Sequence, residues 1–126
     1  MKYKNILIVD DSSTSRMIIQ RCMEIAGHAG ANYFFAEDGL GGISTLEKEN
    51  CIDLIITDLI MPRIDGENFI RKIKMMDAVK NIPVLVISSI GEGVLKNKKE
   101  ELCLLGIINK PLSPAKLVQV LGENHD

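Results

Sequence analysis

Three carboxylates stand directly after two apolar segments of the chain. Asp10 and Asp11 follow the run Ile6–Val9. Asp58 follows the run Leu54–Thr57. If both runs are strands of one open parallel sheet, the residues just past their carboxyl ends converge on a single crevice. Three carboxylates this close repel one another unless a cation joins them, and oxygen-only ligands suit a hard ion. The pattern therefore predicts a magnesium site.

A hydroxyl and an ammonium group take the equivalent place after two further apolar runs. Ser88 follows Val84–Ile87, and Lys110 follows Ile107–Asn109. A metal-bound acid beside a lysine and a hydroxyl is suited to handling a phosphoryl group. Each signal is weak alone, because the acids could simply favour a helix start and Ser88 could be an ordinary strand-end hydroxyl. Their occurrence together, in order, favours a functional site.

The elements that must position these groups alternate along the chain. Strands are predicted at about 5–9, 32–35, 54–57, 84–87 and 107–109. Helices are predicted to begin at Ser12 or Ser13, near Gly39, before Phe69 and near Pro114, with a weaker Lys/Glu-rich helix ending near Leu105. Strands that are almost wholly apolar, separated by helices, indicate a parallel sheet covered on both faces. The predicted fold class is α/β.

Composition narrows the classes of protein and partner. The 126 residues suffice for one domain with its own core, and we expect a single domain with no attached output domain. A net charge of −2 gives no electrostatic case for binding nucleic acid. No apolar run approaches the roughly 18 residues that span a bilayer, and the N-terminus lacks a signal-peptide pattern. The cysteines, Cys22, Cys51 and Cys103, indicate reduced core thiols. We therefore expect a cytoplasmic protein without a membrane or nucleic-acid partner.

Five short motifs, taken in order, give the chain a resemblance to a known family. They are Asp10-Asp11-Ser12, Ala36-Glu37-Asp38-Gly39, Asp58-Leu59-Ile60-Met61-Pro62 through Asp65-Gly66, Ser88, and Lys110-Pro111. Together they resemble the receiver domain of two-component response regulators, of the single-domain chemotaxis type. The resemblance implies a flavodoxin-like (βα)₅ doubly wound parallel sheet with strand order 2-1-3-4-5.

The resemblance also implies a role for each site residue. Asp58 would accept a phosphoryl group. Mg²⁺ would be held by Asp11, Asp58 and the backbone carbonyl of Ile60, with Asp10 acting largely through water. Lys110 would pair with a phosphoryl oxygen. Ser88 would donate its hydroxyl to the bound phosphoryl group.

Partners and the switch follow from the same resemblance. The phosphodonor would be a histidine kinase or a histidine phosphotransfer protein, docked at Ser12, Ser15 and Ile18 beside the crevice. The switch would couple Ser88 to Ile107, which stands where many receivers carry an aromatic residue. A downstream protein would bind the face formed by helix 4, strand 5 and helix 5. Such a chain is a signalling protein that catalyses its own phosphorylation, rather than an enzyme acting on other substrates.

Three other functions fit parts of the pattern. A flavodoxin-like electron carrier shares the fold, but Asp10 and Asp11 would repel the flavin phosphate, and aromatic residues are scarce. An aspartate-nucleophile phosphatase usually needs a second acid two residues after the nucleophilic aspartate. Here Ser12 stands two residues after Asp10, so that acid is missing. A docking module that works without phosphorylation would not need intact acids and a lysine.

Overall fold

The computed structural model describes residues 2–59, 65–89 and 97–122. Within these ranges five strands alternate with five α-helices. The strands are β1 Asn5–Val9, β2 Asn32–Ala36, β3 Leu54–Thr57, β4 Val84–Ser88 and β5 Gly106–Asn109. The helices are α1 Ser13–Met23, extended by a π-helical turn at Glu24–His28, α2 Gly39–Lys48, α3 Gly66–Lys74, α4 Lys98–Glu101 and α5 Pro114–Leu121. No helix in these ranges combines the length and apolar character of a bilayer span.

The five strands form one parallel sheet in the order β2-β1-β3-β4-β5. This confirms the predicted fold class and strand order. In the centre of the sheet β1 pairs with β3, and Val9 lies opposite Thr57. The register therefore brings the residues after the two strands, Asp10 and Asp58, to the same edge. On the far side of β4, Ser88 lies opposite Asn109 of β5.

The core has two parts because both faces of the sheet are covered. Side chains alternate between faces along a strand, so Leu7 and Val9 pack with the α2 and α3 side, while Ile6 and Ile8 pack with α1 and α5. All four of these β1 residues are fully buried. Burial on both faces is the physical reason that the strands read as continuous apolar runs.

Side-chain caps mark the starts of α1, α2, α3 and α5. Ser12, Asp38, Asp65 and Ser113 each accept a hydrogen bond from the backbone N–H three residues on. Such caps satisfy N–H groups that have no partner within the helix. The expected helix start at Ser12 or Ser13 is thus confirmed, with Ser12 as the cap.

Two features of the core differ from what the sequence suggests. Cys22 is buried as expected, but Cys51 and Cys103 are exposed, so the prediction of three core thiols is wrong for two of them. Both exposed cysteines lie in turns. His28 follows Gly27 in a glycine-rich stretch, which suggests solvation, yet it is 1% exposed and stacks on Tyr3. Burial lowers the pKa of its imidazole.

Candidate active site

The site centres on one lysine that lies between two carboxylates. Lys110 Nζ is 3.0 Å from Asp58 Oδ2 and 3.7 Å from Asp10 Oδ2. The three residues follow β5, β3 and β1 respectively. Since β4 separates β5 from β3 in the sheet, only a long side chain reaches across. The backbone N–H of Lys110 donates to the Ser88 carbonyl at 2.9 Å, which ties the base of that side chain to the end of β4.

Burial strengthens the electrostatic interactions between the charged groups of this site. Asp10 is 1% exposed and Asp58 is 7% exposed, while about a third of the Lys110 side chain remains accessible. Burial alone would lower the pKa of the Lys110 ammonium. Its hydrogen bond to Asp58 and the nearby charges of Asp58 and Asp10 outweigh that effect, so the pKa is raised. Lys110 is therefore charged at neutral pH and can neutralise an anion in the crevice.

The Asp10 carboxylate is held by the first turn of α1. Its Oδ1 accepts a hydrogen bond from the Ser12 backbone N–H at 2.9 Å, and its Oδ2 accepts one from Ser15 Oγ at 2.6 Å. The Arg16 guanidinium donates to the Asp10 backbone carbonyl at 2.7 Å. The sequence interpretation gave Ser15 only a docking role and did not single out Arg16. The signal for both was their position one helical turn after the Asp-Asp pair.

Gly66 is a second residue whose importance the sequence interpretation missed. Its backbone packs so closely on β3 that a Cβ added there would lie 2.1 Å from the Asp58 carbonyl oxygen and 2.4 Å from Leu59 Cα. The Gly66 N–H also donates to the Leu59 carbonyl at 2.8 Å. By residue type alone, the Asp65-Gly66 pair is typical of a turn. The start of α3 in fact braces the backbone of Asp58.

The remaining predicted residues have different environments. Ser88 is fully buried at the end of β4, and Ile107 is half-buried in β5 opposite Val86. Asp11 is exposed, and Ile60 lies outside the described residues. Across residues 2–59, 65–89 and 97–122, no group of three or more Asp, Glu, His or Cys side chains is gathered to hold a metal ion. Two of the predicted carboxylates therefore meet at Lys110, and the metal role of Asp11 stays a prediction.

A groove with a volume of about 680 Å³ opens between the start of α1 and Lys110. One wall is formed by Ser12, Ser15 and Ile18 of the α1 region, and the other by the segment 110–112. Ser12 is exposed and Ile18 is 50% exposed, whereas Ser15 is half-buried with its hydroxyl on Asp10. The three predicted docking residues thus line one groove.

Comparison with known proteins agrees with this geometry. The family model of the response regulator receiver domain matches residues 6–122 of this chain. The chemotaxis protein CheY-3 of Vibrio cholerae is 31% identical over 122 residues, which are 97% of this chain and 92% of that protein. The sensor histidine kinase CheAY of Helicobacter pylori is 31% identical over 117 residues. The match covers 92% of this chain but 14% of that kinase. The chain likewise spans about half, 53%, of the probable transcriptional regulator ycf29 of Pyropia yezoensis.

Solved structures share the whole architecture. The structure of the Vibrio cholerae chemotaxis response regulator CheY4 has a TM-score of 0.80 at 26% identity, covering 94% of this chain and 96% of that one. The phosphorylated cyanobacterial phytochrome response regulator RcpA has a TM-score of 0.77 at 25% identity, covering 94% and 89%. Because the family model matches residues 6–122, which are nearly the whole chain, the chain belongs to the response regulator receiver domains.

Proposed function

We propose that the chain is a phosphorylation-dependent signalling switch whose phosphoacceptor is Asp58. The observation that carries this proposal is the contact between the Lys110 ammonium and the buried Asp58 carboxylate, with Asp10 beside them. A carboxylate held next to a fixed cation can act as a nucleophile toward a phosphoryl group. Transfer of a phosphoryl group from acetyl phosphate to Asp58 in the presence of Mg²⁺ tests the proposal.

The proposed reaction is a single displacement at phosphorus. A carboxylate oxygen of Asp58 forms a bond to the phosphorus as the P–N bond of a phosphohistidine breaks, and the electron pair leaves with the imidazole. Lys110 neutralises charge on the phosphoryl oxygens, and the Ser88 hydroxyl donates a hydrogen bond to one of them. Positioning and charge neutralisation provide most of the catalysis in phosphoryl transfer, so the site needs no general base.

The residues at this edge of the sheet fit a hard divalent cation. Their donors are all oxygens, and the two buried carboxylates, Asp10 and Asp58, already share one cation in the form of the Lys110 ammonium. Asp11, Asp58 and the Ile60 backbone carbonyl would hold Mg²⁺ directly, with Asp10 acting through water. Bound there, Mg²⁺ supplies positive charge against the phosphoryl oxygens.

The two neighbouring acids should differ in how much Mg²⁺ binding each supports. Asp11→Ala removes a proposed direct ligand, so we expect Mg²⁺ affinity to fall on the order of 100-fold; Asp10→Ala should cost about tenfold, as is typical of an outer partner. Lys110→Ala should leave Mg²⁺ binding intact. Calorimetric titration with Mg²⁺ measures all three, and equal losses for the two aspartate variants would contradict the assigned roles.

A partner that delivers the phosphoryl group must approach Asp58, and the groove lined by Lys110, which contacts Asp58, is a surface that such a partner could cover. We propose that a histidine kinase or histidine phosphotransfer protein docks on Ser12, Ser15 and Ile18. Ile18 is the one large apolar residue of this set, and half of its surface is open to solvent. Its burial by a partner would contribute to the affinity of docking without altering the carboxylates.

A charge placed at Ile18 should separate docking from chemistry. In Ile18→Glu we expect transfer from the partner to slow at least tenfold, because a charge would be desolvated in the interface, while phosphorylation by acetyl phosphate stays unchanged. Ile25→Glu is the matched control, since Ile25 is 63% exposed in the π-helical turn, away from the groove. Rapid-quench kinetics with both donors measure the effect. Equal slowing with both donors would rule out a docking role.

The output surface is the proposed α4–β5–α5 face. A shallow groove of about 330 Å³ on this face is lined by residues of β5 and α5, including Ile107, Lys116 and Val120. The described turn of α4 buries no side chain, and an ion-pair network ties it to α3: Lys98 to Glu67, and Glu101 to Arg71. Exposed ion pairs contribute little stability. We infer that α4 can therefore shift when Ser88 and Ile107 respond to phosphorylation.

A further inference from the structure

Asp10 is a buried charge, and its hydrogen bonds must compensate for lost hydration. At 1% exposure, a carboxylate that lacked partners would be strongly disfavoured. The Ser12 N–H and the Ser15 hydroxyl are the donors that meet its two oxygens, and the latter bond is short at 2.6 Å. Hydrogen bonds to ionised groups are shorter and stronger than neutral ones. Ser15 is therefore an energetically important partner of Asp10.

The two oxygens of Asp10 face different surroundings. Oδ1 accepts from the backbone N–H of Ser12, whereas Oδ2 accepts from Ser15 and lies 3.7 Å from Lys110 Nζ. Each carboxylate oxygen has two acceptor directions. Ser15 occupies one direction of Oδ2, which leaves the other for the cation in the crevice. The Ser15 hydroxyl, together with the Ser12 N–H on the other oxygen, thus sets the rotation of the carboxylate.

The Ser15 hydroxyl is free to do this because it has no part in capping the helix. The Ser12 side chain is the N-cap, and it accepts from the backbone N–H of Ser15 at 3.2 Å. Ser15 lies in the first turn of α1, where alanine would be a better helix former than serine. Removing the hydroxyl therefore leaves the helix start intact and changes only the support of Asp10.

We propose that Ser15 is a positioning residue for the divalent-cation site, acting through Asp10. This inference rests on the proposed function, since it concerns the same crevice. Residues that hydrogen-bond to the groups surrounding a bound metal typically contribute 10–100-fold to the affinity of the site for that metal. Ser15 thereby tunes how much Mg²⁺ the chain needs before Asp58 can accept a phosphoryl group.

Mg²⁺ titration of five variants tests the proposal. By calorimetry with Mg²⁺ alone, Ser15→Ala should bind about tenfold more weakly, and Ser15→Thr, which keeps the hydroxyl, should bind as the natural chain does. Ser13→Ala is the matched control, because Ser13 is an exposed hydroxyl of the same helix turn. In an Asp10→Ala background, Ser15→Ala should cause no further loss, since a coupled pair is not additive.

Phosphorylation kinetics and stability provide the second readout. The Mg²⁺ concentration that gives the half-maximal rate with acetyl phosphate should rise about tenfold in Ser15→Ala, and the free energy of unfolding should fall because the buried Asp10 carboxylate loses one of its hydrogen bonds. Unchanged or tighter Mg²⁺ binding in Ser15→Ala would overturn the proposal. So would an equal loss in the Asp10→Ala background, or a loss that Ser15→Thr does not rescue.

The outcomes also separate this inference from the proposed function. If the natural chain binds Mg²⁺ in the predicted way but accepts no phosphoryl group, the switch function fails while the role of Ser15 stands. If the chain accepts a phosphoryl group and Ser15→Ala binds Mg²⁺ normally, the positioning role alone fails. A natural chain that binds no Mg²⁺ overturns both.

Discussion

Asp58→Asn should abolish phosphorylation of the chain. With acetyl phosphate and Mg²⁺, the natural chain should gain one phosphoryl group, seen as a single mass increment that hydroxylamine removes because an acyl phosphate is an activated acid derivative. The variant should gain none, because the neutral amide of asparagine is too weak a nucleophile to attack phosphorus. Without the carboxylate, no acyl phosphate can form. Intact-mass spectrometry gives both results directly.

A second aspartate provides the control for that experiment. Asp77 is paired with Lys80, and its side chain is 95% exposed. Asp77→Asn removes the same charge from the chain as Asp58→Asn, so an effect of net charge alone would appear in both variants. Asp77→Asn should be phosphorylated as fully as the natural chain. Label that persists in Asp58→Asn, on His28 or on any other residue, would contradict the assignment of Asp58.

The parts of the fold that follow from local pattern could be predicted well. The run Ile6–Val9 is apolar at every position because its strand is buried on both faces, and it is followed by polar residues, so its end and its place inside the sheet are both visible in the sequence. The β4 strand was predicted one residue short. Ser88 pairs with Asn109 as the last residue of the ladder, and a hydroxyl gives no local sign of that pairing.

The parts of the site that depend on packing could not be predicted. The pattern predicts that Lys110 shares a crevice with the acids, but it does not show the direct contact with Asp58 across β4, because that contact depends on side-chain length and sheet twist together. The hydrogen bond from the Ser15 hydroxyl to Asp10 could not be predicted either. A serine at this position could equally be an exposed docking residue or a buried hydrogen-bond donor, and the sequence does not distinguish the two. Asp11 illustrates the converse: adjacent to Asp10 in sequence, it lies outside the buried pair.

The burial of His28 shows the same limit away from the site. The glycine neighbours of His28 are typical of a solvated turn, but the chain kinks at Gly27, where φ is 115°, and the His28 ring stacks on Tyr3 with 5.9 Å between ring centroids. Neither ring nitrogen has a hydrogen-bond partner among the described residues. Apolar stacking, rather than polarity, decides where this imidazole lies. The burial of His28 depends on which residues surround it in three dimensions, so it could not be predicted from the sequence.

Gly66→Ala should impair the site from outside the crevice. The added methyl group would meet the Asp58 carbonyl oxygen at 2.1 Å, and that neighbour is backbone, which cannot rotate away as a side chain can. The start of α3 must therefore move off β3, which breaks the bond from the Gly66 N–H to the Leu59 carbonyl. Overpacking of this kind costs about 1–3 kcal/mol or more, while the gain in helix propensity is at most about 1 kcal/mol.

The effect on chemistry should exceed the effect on stability. Asp58 carries the nucleophile on the backbone that must shift, and a displacement of about 1 Å can cost a reaction roughly 100-fold. We therefore expect the folded Gly66→Ala protein to accept a phosphoryl group from acetyl phosphate about 100-fold more slowly. Urea unfolding followed by circular dichroism gives the stability, and the mass-increment time course gives the rate.

Gly41→Ala is the control that separates close approach from the loss of any glycine. A Cβ at Gly41 would have ordinary contacts of 3.4 Å with Ala36 and Asp38, and its N–H bond to the Asp38 side chain would be kept. Since alanine favours a helix interior, Gly41→Ala should be as stable as the natural chain or up to about 1 kcal/mol more stable, with an unchanged phosphorylation rate. If Gly66→Ala behaved as Gly41→Ala does, the start of α3 would not brace Asp58, and the position of the nucleophile would depend on the β3 ladder and Lys110 alone.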